Sequence, residues 1–119
     1  MILRAALGQA YERGRGVAES FGESLDLYDK ACTGGVAAGC RLLGSMYADG
    51  RGAARSPTRS ADLWARACDG GDALGCVELA KAYANGHGVR ADKARAASLY
   101  RKACDAGLAT ACDPAKSGG

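Results

Sequence analysis

The chain has 119 residues, room for one small domain, and is rich in Ala, Gly and Arg with only seven aromatic residues and two prolines. Lys and Arg outnumber Asp and Glu by 16 to 13, and the charges are scattered, which excludes the basic patch of a nucleic-acid binder. No apolar run approaches the ~18 residues of a membrane span, and Met1-Ile2-Leu3-Arg4-Ala5-Ala6-Leu7 puts an arginine where a signal peptide would be apolar.

A repeat of 36 residues organises everything else. Cys32, Cys68 and Cys104 are one period apart, as are Cys40, Cys76 and Cys112. Leu7, Leu43 and Leu79 follow the same step, with Tyr11, Tyr47 and Tyr83, and then Tyr28, Trp64 and Tyr100. Six of the seven aromatics occupy just two repeat positions, so the register is not accidental. In chain order, the pattern predicts a helix over 2–13 paired with one over 21–33, then 37–49 with 57–69, then 73–85 with 93–105. Leu42, Leu43, Met46 and Tyr47 show the i, i+1, i+4, i+5 apolar face of the first helix in a repeat. Gly50 stands where a left-handed residue ends such a helix. Ser20, Ser56 and Asp92 share the N-cap position of the second helix, with Glu23 completing a capping box and Pro57 at the first helical position. Gly8, Gly44 and Ala80 share a position where a small residue admits a neighbouring helix. A short seventh helix is predicted over 109–113, stopped by Pro114. The fold class is therefore all-α: a solenoid of three helix-turn-helix repeats, 1–36, 37–72 and 73–108, in one domain over 1–114 with a flexible tail over 115–119.

Each cysteine pair, Cys32 with Cys40, Cys68 with Cys76 and Cys104 with Cys112, joins the end of a second helix to the start of the next first helix. An even count at a repeated spacing reads as a disulfide framework, worth roughly 2.6 kcal/mol per bridge by loop entropy. Zinc ligands normally lie two to four residues apart, and a redox pair is usually C-x-x-C; metal binding and free buried thiols stand as the alternatives. Arg4, one period before Cys40, has no earlier cysteine to meet. Stable bridges imply an oxidising compartment, periplasmic or secreted.

Leu7-Gly8 to Tyr11, Gly14-Arg15-Gly16-Val17 and Ala96-Ala97-Ser98-Leu99-Tyr100-Arg101-Lys102-Ala103-Cys104-Asp105 resemble the Sel-1-like repeat, a relative of the tetratricopeptide repeat. The C-x7-C in every repeat is similar to the bacterial cysteine-rich, Hcp-like branch. The resemblance spans about residues 3–113, with Ala53 and Ala80 departing from its valine and glycine. It implies an α/α superhelix with disulfide-locked, usually exported repeats, whose relatives act mainly as adaptors and scaffolds. It also implies an alternative, β-lactam or cell-wall-fragment binding with weak β-lactamase activity.

Catalytic motifs are missing. His87, the one histidine, falls in the Gly86-His87-Gly88 turn and reads as an exposed loop residue. There is no Ser-x-x-Lys nucleophile motif, and Gly14-Arg15-Gly16 lacks the third glycine and the strand of a phosphate loop. No cofactor, metal ligand set or catalytic residue is assigned. A binding surface has better support. Along each first helix a variable stripe runs at i, i+4, i+8: Ala5, Gln9 and Arg13; Arg41, Ser45 and Asp49; Val77, Lys81 and Asn85. First helices line the concave face of such arrays, so Gln9, Arg13, Arg41, Ser45, Asp49, Lys81 and Asn85 form the candidate groove for a protein or peptide. Ordinary solvated surface is the rival reading of that stripe. Leu3 and Leu7 have no preceding repeat in this sequence, which points to self-association through open ends or to a piece of a longer array.

Overall fold

The structure, a computed structural model, describes residues 20–112. Those residues form five α-helices, α1 (Phe21–Thr33), α2 (Ala37–Asp49), α3 (Pro57–Asp69), α4 (Ala73–Asn85) and α5 (Lys93–Asp105), then a 3-10 turn at Ala109–Cys112. The helix expected over 2–13 and the tail over 115–119 lie outside the described residues. Each helix packs on its neighbours in the chain, and α2 also touches α4 in the next repeat, which is solenoid packing.

Local chemistry explains most of the boundaries. The Ser56 hydroxyl accepts the Arg59 amide N–H at 3.3 Å, and the Asp92 carboxylate accepts that of Arg95 at 3.0 Å. Gly50 and Gly86 end α2 and α4 with φ of 71° and 70°. The Ser20–Glu23 capping box is not formed. Ser20 has φ −94° and ψ 74°, against −145° and 93° at Ser56, and its side chain makes no cap hydrogen bond. The short seventh helix is present at Ala109–Cys112 as a 3-10 helix, with the Ala111 N–H donating to the Leu108 carbonyl at 3.0 Å. Pro114 has no N–H to return to Thr110, so the sequence cannot extend that turn into an α-helix through this bond.

Two close approaches set the helix spacing. A Cβ on Gly44 would stand 2.7 Å from the Trp64 indole nitrogen, so α2 and α3 meet only because that residue is small. In the third repeat Ala80 takes the glycine's place and Tyr100 the tryptophan's, and the two pack in one buried cluster with Ala96. The second approach joins repeats. Gly88, at φ 77°, lies so close to the Pro57 carbonyl that a side chain there would collide with it.

Disulfides join Cys32 to Cys40, Cys68 to Cys76 and Cys104 to Cys112, with Cα separations of 4.5, 4.5 and 4.8 Å. The first two are core: Cys68 and Cys76 are 1% and 2% exposed. The third is not, since Cys104 is half-buried and Cys112 exposed.

Candidate functional site

The stripe of first-helix residues divides when placed on the fold. Gln9 and Arg13 lie outside the described residues. Arg41 is half-buried, and its Nε lies 2.7 Å from Asp72 Oδ2 at the N-terminus of α4. Asp72 therefore ties the start of α4 back to α2 and makes no side-chain cap for α4. The Ser45 hydroxyl donates to the Arg41 carbonyl one turn back, at 3.2 Å. Asp49 is exposed and meets Arg51 Nη2 at 2.8 Å. Lys81 and Asn85 differ from these: both are exposed, and both line a cleft of about 270 Å³ between the second and third repeats.

Three helices build that cleft. Ala48 comes from the end of α2, with Pro57, Ser60 and Trp64 from the first half of α3. Glu78, Lys81, Ala82 and Asn85 come from α4, and the loop residues Arg55 and His87 complete the rim. The apolar part is rigid. Trp64 is 8% exposed, is seated on Gly44, and donates its indole N–H to the Arg41 carbonyl at 3.2 Å. The polar part lies at the surface: Lys81 Nζ stands 3.6 Å from Glu78 Oε1, one turn away. Arg55 Nε donates to the Ala48 carbonyl at 3.2 Å, which ties the loop to the end of α2. His87 is exposed at the rim, in the loop position the repeat assigns it.

Sequence reasoning missed Trp64, Pro57, Ala82 and Arg55 because it looked for variability on one helix face only. The signal was present in the repeat alignment, as changes of side-chain size at framework positions. A second hollow, of about 230 Å³, lies beside α1, with Asp29, Tyr47, Arg59 and Asp62 among its lining. There the Arg59 guanidinium sits 5.3 Å from the Tyr47 ring centre, and Arg95 stacks on Tyr83 at 5.1 Å one repeat later. The stack thus recurs in the second and third repeats, while Glu23 holds the arginine's place in the first.

Ser60 is 1% exposed, and its hydroxyl donates to the Ser56 carbonyl at 3.1 Å within its own helix. Among the described residues, no group of three His, Cys, Asp or Glu side chains is placed to hold a metal ion. No helix among them is long and apolar enough to cross a membrane.

The model of the Sel1 repeat matches residues 4–36, 37–72 and 73–108. The chain belongs to the Sel1 repeat family. Solved structures agree with that assignment. The cysteine rich protein B of Helicobacter pylori is 30% identical with a TM-score of 0.73, over 76% of this chain and 68% of that one. A protective antigen of uropathogenic Escherichia coli with the same repeat fold is 31% identical with a TM-score of 0.82, over 91% of this chain but 23% of its own. A Sel1 repeat protein from Oxalobacter formigenes shares the fold at a TM-score of 0.86 and 23% identity, over 92% of this chain and 45% of that one. This Sel1 chain thus spans about a quarter of the antigen and under half of the Oxalobacter protein. A search of the curated proteins finds no match.

Proposed function

We propose that this Sel1 chain is a peptide- or protein-binding module and that the cleft between its second and third repeats is the binding surface. The observation that carries the reading is the pairing of a rigid apolar floor with a charged rim. Trp64, Ala48 and Ala82 supply the floor, while Lys81, Asn85 and Arg55 stand exposed around it. Binding pockets combine these two features, apolar surface for affinity and a few polar groups for orientation. Lys81 and Asn85, two residues of the stripe, line this cleft. Arg41 serves the repeat junction through Asp72, and Ser45 is tied to its own helix.

The β-lactam alternative draws no support from the cleft, where the Ser60 hydroxyl is committed to its own helix. An exported, extracytoplasmic setting is part of the proposal. Its support is the three bridges and the similarity to the H. pylori cysteine rich protein.

A random peptide library selected on the oxidised protein tests the binding reading, with Lys81→Glu as counter-screen. Lys81 is exposed, so the variant keeps the fold. Peptides that bind the wild type and are lost on the variant support the cleft. Peptide families held equally by both overturn it.

A further inference from the structure

We infer that the cleft is a socket for one large apolar side chain, phenylalanine or methionine, presented by a partner peptide beside a carboxylate. This rests on the binding reading and names its partner chemistry. The template is inside the molecule. One period before Pro57, Glu78 and Ala82 stand Phe21, Leu42 and Met46. At the first junction those three join a single apolar cluster around Tyr28, with Met46 and Tyr28 both 0% exposed. At the second junction the same positions are smaller or charged, and the cleft of about 270 Å³ opens there beside Trp64. The repeat geometry is shared, so the space corresponds to the one Phe21 and Met46 fill one repeat earlier, with Trp64 in the place of Tyr28.

Size and charge narrow the occupant. Pockets for whole small ligands run to about 300–1,000 Å³, so this one suits a side chain or two. Arg55 and Lys81 oppose Glu78 on its lining, two positive charges against one negative. A carboxylate next to the apolar anchor meets that excess, and a lysine would be repelled by it.

Fluorescence anisotropy of a labelled hexapeptide, Gly-Asp-Phe-Asp-Gly-Ser, at low ionic strength tests the inference. Saturable binding is expected, weakened at least about tenfold when Phe is replaced by Ala and reduced again when both Asp are replaced by Lys. Ala82→Met and Pro57→Phe rebuild the first junction from opposite walls. Each is expected to abolish peptide binding with the melting temperature unchanged or raised. If Ala82→Met overpacks and melts early, Pro57→Phe decides. Equal affinity for the Phe and Ala peptides, no saturable binding, or full binding by a folded filled variant would overturn the socket. Library peptides lost on Lys81→Glu yet retained by Ala82→Met would overturn the socket alone and leave the cleft reading standing.

Discussion

The junction between α3 and α4 and the one after α5 use the same repeated residues but in different surroundings. At the inner one, Cys68 and Cys76 are buried, and Arg41 on α2 meets Asp72 at the start of α4. At the outer one, Cys112 is exposed, and the positions of Arg41 and Asp72 are held by Val77 and Leu108, which share an apolar cluster. An ion pair and an apolar contact thus occupy equivalent places. The repeat dictates which residues meet, and the neighbours decide what the meeting is worth.

The largest test of that contrast is removal of the bridges one at a time. Cys68→Ala with Cys76→Ala should lower unfolding free energy by at least about 2.6 kcal/mol, the loop-entropy value. Cys104→Ala with Cys112→Ala opens a loop of the same length but should lower it by less, because without the bridge the terminal 3-10 turn at the core edge frays in the folded state and regains part of that entropy. Urea melts of the two variants check this, and equal losses would break the comparison. Under graded reductant, mass mapping of alkylated thiols should show Cys104–Cys112 opening first, since exposure admits the attacking thiolate.

The next effect concerns helix spacing. Gly44→Ala drives a methyl into Trp64 and should cost roughly 2 kcal/mol. Adding Trp64→Tyr copies the Ala80–Tyr100 pair and should recover most of it. A double-mutant cycle with no coupling would show that the third repeat solves the spacing some other way.

The ion pair comes third. Arg41→Ala leaves Asp72 half-buried and unpaired, at a cost of roughly 1.5 kcal/mol. Arg41→Val with Asp72→Leu imitates the outer junction and should be near neutral by thermal melt. The smallest effects lie at the caps. Ser56→Ala should cost about 1 kcal/mol and Ser20→Ala nothing measurable, because only Ser56 accepts a capping N–H.

Much of this was legible in the residues. The predicted spans 21–33, 37–49, 57–69, 73–85 and 93–105 coincide with the five helices. Ser56, Asp92 and Gly50 act as their types suggest, since a cap is a contact within one turn of chain. Ser20 shows where that reasoning stops. Its type suits a cap, but its backbone lies outside the extended region that Ser56 adopts, and its side chain makes no cap hydrogen bond.

The candidate site was legible only in part. Lys81 and Asn85, picked out by their variability, line the cleft, whereas Arg41 has the same pattern and pairs with Asp72. The two uses cannot be told apart on one helix, because the partner of Arg41 lies 31 residues away in the chain.

Taken by itself, the sequence determined the period, the five helices between residues 21 and 105, the cysteine pairing partners and the small residue needed at position 44. These depend on spacing along the chain or on a motif repeated within it. The tertiary structure alone decided which bridge is exposed, which stripe residues are bound to neighbours, and where a cleft opens. Those depend on how the residues of three helices fill a shared volume, and a shortfall of side chain becomes empty space only once the helices are packed.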